Sequence, residues 1–123
     1  MDHILVIDDQ ASMRSIICHM LEDKGYKVTC AQDGQEGWDY FEKDPDTYKL
    51  VVADVNMPKV DGFELLKRIR QTHPNKPVVF LTGINEDIVK IVGQEYQVNA
   101  IIKKPFQVED ALAIIEDVIA SNP

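Results

Sequence analysis

Asp8, Asp9, Asp54, Thr82 and Lys104 have the types and positions to do chemistry together in this 123-residue chain. Each stands at the end of a short apolar run. The run 4–7 leads into Asp8-Asp9, 50–53 into Asp54, 77–81 into Thr82-Gly83, and 98–102 into Lys103-Lys104-Pro105. Such runs suit strands buried on both faces of a sheet, and a carboxylate at the end of one is costly unless something neutralises it. Two carboxylates ~4 Å apart repel by on the order of 4 kcal/mol at an effective dielectric of 20, and unpaired ones would take up protons. A hard divalent cation resolves this, since Mg2+ uses one or two carboxylates, waters and a substrate phosphate. With an amine and a hydroxyl close by, the same group suits phosphoryl transfer. The ionised carboxylate attacks, while metal and amine stabilise the equatorial oxygens, and aspartyl phosphate is an established type of covalent intermediate.

The elements that must hold these residues alternate along the chain. After Asp9, the positions of Met13, Ile16, Ile17, Met20 and Leu21 predict a helix lying on a core, with Ser12 placed to cap it and Gly25 to end it. A short strand over 27–31 follows, then the turn Asp33-Gly34. Trp38 and Phe41 mark a weaker helix, diluted by Gly37 at about 1 kcal/mol relative to alanine, and Pro45-Asp46 opens a loop. Pro58 and Asp61-Gly62 turn the chain after Asp54. Asp61 with Glu64 predicts a capped helix whose buried side is Phe63, Leu66 and Ile69. Asn85 predicts the cap of a fourth helix, with Glu86-Asp87 in its first turn and Ile88, Ile91, Val92 and Tyr96 behind them. The last helix carries Val108, Ala111, Leu112, Ile115, Val118 and Ile119 on one stripe.

Five strand–helix units predict an α/β fold, a doubly wound parallel sheet of five strands with five helices covering both faces. Ligands of such sheets bind beyond the carboxyl ends of the strands, where strand order reverses. That rule brings three carboxylates, a hydroxyl and an amine to one edge, although the helix stripes had no part in choosing them.

Length and composition bound the rest. The chain fits one domain with one core, and no linker, low-complexity tract or repeat interrupts it. A net charge of −8 argues against nucleic acid as a direct partner, which would want Lys and Arg gathered on one face. It suits an acidic site for a cation, or a partner with a basic surface. No apolar run approaches the ~20 residues of a membrane span, and Met1-Asp2-His3 has nothing of a signal peptide, so a cytoplasmic protein without membrane insertion is expected. Cys18 and Cys30 have neither metal-ligand spacing nor companion histidines and are expected as buried free thiols. Lys103 is expected as a solvated charge and Trp38 as half-buried packing.

Asp8-Asp9, Asp54-Val55-Asn56-Met57-Pro58 with Asp61-Gly62, Thr82, and Lys104-Pro105-Phe106 stand in an order and spacing that resembles the response-regulator receiver domains of two-component signalling. The resemblance covers essentially the whole chain and is strongest to the single-domain chemotaxis type. It implies a flavodoxin-like strand order, 2-1-3-4-5. It implies that Asp54 accepts a phosphoryl group from a sensor histidine kinase or a histidine phosphotransfer protein. Asp9 and Asp54 would ligate Mg2+, or another divalent cation such as Mn2+, together with the backbone carbonyl of Asn56, and Asp8 would help mainly through water. Thr82 would hydrogen-bond a phosphoryl oxygen and move toward it on activation. Lys104 would contact the same group, and the bond before Pro105 would be cis, an arrangement open in practice only to X-Pro.

A phosphoacceptor switch rather than a classical enzyme is therefore expected, its own site assisting transfer and self-dephosphorylation. One monomeric receiver over residues 1–123, with no effector domain, would pass its output through helix 4, strand 5 and helix 5 to a separate protein. Ile114, off the buried stripe of the last helix, is a local hint of that face. The output could lie in chemotaxis and motility, in a phosphorelay or in kinase regulation. Ile101 stands three positions before Lys104, where many receivers carry an aromatic ring that turns inward. An aliphatic side chain cannot report by ring rotation, so a population shift from strand four to helix five would carry the signal. Self-dephosphorylation is expected to depend on Asn56 and the bulk of Ile84.

Two other functions on this architecture fit less well. A phosphatase of the haloacid-dehalogenase type also forms an aspartyl phosphate, but it needs a second aspartate as general acid in Asp-x-Asp after its first strand. The third strand here offers Asp54-Val55-Asn56, and Asn56 cannot protonate a leaving group. A flavodoxin-like electron carrier needs a hydroxyl- and glycine-rich loop after strand one to cradle a phosphate, which Asp8-Asp9-Gln10-Ala11-Ser12 would repel.

Overall fold

Successive side chains of a strand point to opposite faces, and that parity sorts this chain into two helical layers around one sheet. The computed structural model describes residues 2–83 and 86–122. They form β1 (His3–Ile7), α1 (Ala11–Asp23), β2 (Lys27–Ala31), α2 (Gly34–Lys43), β3 (Leu50–Asp54), α3 (Gly62–Thr72), β4 (Val78–Thr82), α4 (Glu86–Glu95), β5 (Ala100–Lys103) and α5 (Val108–Ser121), with a 3-10 turn over Pro45–Thr47. The strands are parallel in the order β2-β1-β3-β4-β5, the flavodoxin-like doubly wound sheet. Leu5, Ile7, Val51, Ala53, Val78 and Phe80 cluster with Phe41 of α2, Leu66 and Ile69 of α3 and Val89 of α4. Ile4, Val6, Leu50, Val52, Val79 and Leu81 cluster with Ile17 and Leu21 of α1 and Ile115 of α5. Among the described residues no helix is long and apolar enough to cross a membrane.

The structure departs from the sequence-based expectation mainly at helix ends and at three apolar positions. α1 starts before Ser12, with Gln10 as its N-cap and no side-chain cap bond. Asp8 Oδ1 instead accepts the Gln10 N–H at 2.9 Å. Asp61 caps α3 as predicted, accepting the Glu64 N–H at 2.9 Å, and Asp33, read only as a turn residue, caps α2 through the Glu36 N–H at 2.8 Å. The spacing predicts Ile91 on the inner side, yet it is 69 % exposed while Val89 is fully buried. At roughly 100° per residue the two lie on opposite sides of α4, and Val89 with Tyr96 seven residues on forms the inner line. The cap residue Asn85 and the side chains of Ile88 and Val92 lie outside the described residues. Ile16 is exposed, and Cys18 takes the buried place beside Ile17. Val108 is exposed as well, because helical side chains lean toward the amino end and the first residue of α5 overhangs the core.

Cys18 is bonded to Cys30, where free thiols were expected. Cys30 shares the parity of Val28, which packs on the α1 side of the sheet, so the two sulfurs meet across α1 and β2. A spacing of 12 residues carries no motif that could announce this.

At the end of the sheet away from the strands' carboxyl ends, one arginine side chain joins several elements. Arg70 of α3 donates to Lys76 O at 2.6 Å, to Tyr96 O and Gln97 O at 2.9 Å each, and to Asn99 Oδ1 at 3.1 Å. Asn99 in turn accepts the Val78 N–H on that oxygen and donates its own N–H to Val78 O. The guanidinium thus joins α3, the start of β4 and the turn between α4 and β5. Arg70→Ala is expected to lower stability by about 2–3 kcal/mol, seen as a lower urea midpoint with an unchanged slope. Arg70→Lys should recover only a minor part, since an ammonium cannot reproduce the planar fork.

Candidate functional site

Strand register brings the acidic residues together. Ile7 stands opposite Ala53 in the pairing of β1 with β3, so one further step along each strand puts Asp8 beside Asp54. Asp8 is fully buried, Asp54 is 6 % exposed, and Asp9 stands at the exposed rim. One carboxylate oxygen from each of the three lies within 4.8 Å of the others. Lys104 follows β5, its backbone fixed by an N–H bond to Thr82 O at 2.7 Å, and the bond to Pro105 is cis. Its Nζ lies 3.1 Å from Asp8 Oδ2 and 3.1 Å from Asp54 Oδ2. Thr82 closes β4 at the same edge and is 1 % exposed, one residue beyond Leu81, the β4 neighbour of Asp54. Asn56 donates its N–H to Asp54 Oδ1 at 3.2 Å and is exposed on the rim.

Lys103 is exposed, as expected. Ile101 is half-buried opposite Phe80, and Ile84 lies outside the described residues.

The charges do not balance within the protein. Burial pushes the Asp54 carboxyl above the usual carboxylate range; the Lys104 ammonium opposes that shift and the Asp8 carboxylate adds to it. Burial would by itself depress Lys104, but its bond to Asp8 and the charges of Asp54 and Asp8 outweigh that and raise it above an ordinary lysine. Three ionised carboxylates and one ammonium leave an excess of two negative charges. At the observed spacing of up to 4.8 Å, each carboxylate pair repels by roughly 3–4 kcal/mol at an effective dielectric of 20. An oxygen-only donor set with that excess charge fits a hard divalent cation. The same arrangement offers a buried anionic oxygen as nucleophile and an ammonium beside it.

Sequence reasoning missed two supports of this site. Arg14 Nη1 donates to Asp8 O at 2.7 Å and so fixes the end of β1 from α1. Its signal was present, because Arg14, Ile17 and Leu21 lie on one line of the helix and an arginine on a buried stripe asks for a partner. Gly62 is the second. A Cβ there would lie 2.7 Å from Asp54 O and from Val55 Cα, and its N–H bonds Val55 O at 2.9 Å. The start of α3 is thereby packed directly on the end of β3.

Known proteins share this fold. The family model described as the response regulator receiver domain matches residues 4–116. The uncharacterized transcriptional regulatory protein YkoG of Bacillus subtilis (strain 168) is 34% identical over 120 residues, covering 98% of this chain and 52% of the relative. The transcriptional regulatory protein CpxR of Escherichia coli (strain K12) is 33% identical over 119 residues, 97% of this chain and 50% of CpxR. The chain thus spans about half the length of these relatives. Among solved structures, the chemotaxis response regulator CheY4 of Vibrio cholerae superposes with a TM-score of 0.88 at 32% identity, covering 96% of this chain and 98% of that one. A receiver domain protein from Clostridium thermocellum superposes with a TM-score of 0.91 at 28% identity, over 98% and 96% of the two chains.

Proposed function

Since this chain belongs to the response regulator receiver domain family, we propose that it is a phosphorylation-gated switch of two-component signalling with Asp54 as phosphoacceptor. The observation that carries this reading is the Lys104 ammonium bonded at once to Asp8 and Asp54, with Asp9 beside them. Asp9, Asp54 and the Asn56 carbonyl would hold Mg2+ or Mn2+, with Asp8 acting mainly through water. When bound, the cation supplies charge neutralisation for phosphoryl oxygens.

The chain's own residues supply the rest. An Asp54 carboxylate oxygen attacks the phosphorus of a phosphohistidine on a sensor kinase or phosphotransfer protein. The bond from Asp54 to phosphorus forms as the P–N bond breaks, and the electron pair leaves with the protonated imidazole as neutral histidine. Lys104 turns from the carboxylates toward an equatorial phosphoryl oxygen, and the Thr82 hydroxyl donates to another on activation. Attack of water on phosphorus breaks the bond to the Asp54 oxygen, releasing inorganic phosphate that keeps the water's protons and regenerating the Asp54 carboxylate, with the exposed Asn56 amide as the group that orients the water.

The output face is α4, β5 and α5. Exposed Ile91 on α4 and a groove lined by Lys103, Phe106 and Ile114 support it as a docking surface for another protein. The likeness to CheY4 along nearly that whole chain supports a reading in which the receiver passes its signal to a separate protein. The transcriptional regulators of which this chain spans half favour a second reading, in which the same switch controls transcription.

Incubation with a small acyl phosphate and Mg2+, followed by intact mass, tests the proposal. The expected result is gain of one phosphoryl group, prevented by a chelator. No gain in the presence of metal overturns the switch, and undiminished gain without metal overturns the cation's role.

A further inference from the structure

Segment 55–61 returns the chain from Asp54 to α3 and carries the Asn56 carbonyl. Its local bonds include Asn56 N–H to Asp54 Oδ1 and Gly62 N–H to Val55 O, and it buries Met57 and Val60. At Lys59 the backbone takes φ 68°, the left-handed region that costs a side-chain-bearing residue about 1–2 kcal/mol. Contacts from outside the segment must hold that conformation. Besides the core packing of Met57 and Val60, they include contacts from the turn between β2 and α2.

Lys59 Nζ lies 3.3 Å from Asp33 Oδ2. Asp33 is itself fixed, because its other oxygen caps α2 through the Glu36 N–H at 2.8 Å and its side chain is only 11% exposed. Next to it, Gly34 passes so close beneath the loop that a Cβ there would lie 1.6 Å from Val60 O. The two turns are therefore in direct contact at one point and joined by an ion pair beside it. A cap needs only one acceptor, and asparagine or serine serves as well as aspartate. The second carboxylate oxygen of Asp33 is what reaches Lys59.

We propose that Asp33 and Lys59 are positioning residues for divalent-cation binding: their ion pair braces segment 55–61 and so sets the Asn56 carbonyl against the Asp9 and Asp54 carboxylates. The inference rests on the functional reading above and adds to it a pair of residues remote from the reacting atoms.

Charge and positioning make opposite predictions for one of the two residues. If the pair acted only through its charges, loss of an anion in Asp33→Asn would weaken Mg2+ binding and loss of a cation in Lys59→Gly would strengthen it. Bracing requires both to weaken it. Calorimetric titration of Mg2+ into the metal-free proteins is expected to give affinities about three- to tenfold below wild type for Asp33→Asn and Lys59→Gly. Lys59→Arg, which keeps the ion pair, should stay within about twofold of wild type. Thermal stability separates this from general loosening. Asn retains the cap, and glycine removes the left-handed strain, so Lys59→Gly should melt no lower than wild type while binding metal less well. Mg2+ binding by Lys59→Gly as tight as or tighter than wild type overturns the inference and leaves the functional reading standing. Absence of Mg2+ binding by wild type overturns both.

Discussion

Asp54→Asn is expected to abolish phosphoryl incorporation and to make the metal-free protein more stable at neutral pH, by about 1 kcal/mol. The first effect follows if Asp54 supplies the attacking oxygen, since an amide is no nucleophile toward phosphorus. The second follows from the direction of its pKa. Burial, opposed by Lys104 and reinforced by Asp8, raises the folded-state value, so the folded protein holds that proton more tightly than the unfolded chain. The resulting contribution favours the fold below the unfolded carboxylate pKa of about 3.9 and is lost as pH rises through the folded value. At neutral pH the ionised side chain is thus a cost, and asparagine avoids it while still accepting the Asn56 N–H. Denaturant melts of both proteins across pH should show a gap that is widest near neutrality and closes in acid. Mg2+ should stabilise wild type in proportion to its binding and the variant far less. A variant that still gained one phosphoryl group would place the acceptor elsewhere. One less stable than wild type at neutral pH would mean that the bond between Asp54 and Lys104 outweighs burial.

Much of this site could be read in the sequence because it depends on strand ends, and strand ends are marked in the residues themselves. An apolar run that stops at an aspartate locates the carboxyl end of a parallel strand to within a residue, as at Ile7-Asp8 and Ala53-Asp54. The topology then decides which ends are neighbours. What could not be read depends on which face an element turns to its neighbour, and on contacts between loops. The spacing of Ile88, Ile91 and Val92 fits a helix in α4 but leaves its rotation open, and among the described side chains Val89 and Tyr96 lie on the packed side while Ile91 does not. Asp33-Gly34 read as an ordinary turn because nothing local says that Val60 will lie on it. The bond between Cys18 and Cys30 likewise depends on the packing of a helix on an edge strand.

Parity also explains why the site is charged but the core beneath it is not. Asp8 continues the row of Ile4 and Val6, and Asp54 the row of Leu50 and Val52, all on the α1 and α5 side of the sheet. Buried carboxylates one step beyond two paired apolar rows cannot move apart without breaking that packing. Their repulsion is held in the fold, and it is relieved only by the groups that reach them.

Among the described residues Lys104 is the cation that does so, and Lys104→Met is expected to lower metal-free stability at neutral pH by about 3 kcal/mol, because it leaves two buried carboxylates without their cation. Methionine keeps most of the stem of a side chain that is only 13% exposed, so the loss reports the charge rather than a cavity. The pH dependence carries the sign. Folding raises the Lys104 pKa, so its contribution is fully present below the unfolded value of about 10.4 and is lost as pH rises through the folded one. The gap between wild type and variant should therefore close in strong alkali. It should close in acid too, where Asp54, its pKa raised by burial, takes up a proton and needs no ammonium. Mg2+ should narrow it at neutral pH by substituting for the lost charge, and the variant should bind Mg2+ at least as tightly as wild type, since a competing cation is gone. Phosphorylation by an acyl phosphate should nevertheless slow by roughly a hundredfold or more, the scale of losing one preorganised donor to a developing charge. Retained metal affinity with slowed transfer separates a lysine that stabilises the transferring phosphoryl group from one that only neutralises its neighbours; an unchanged rate would leave it the second role alone.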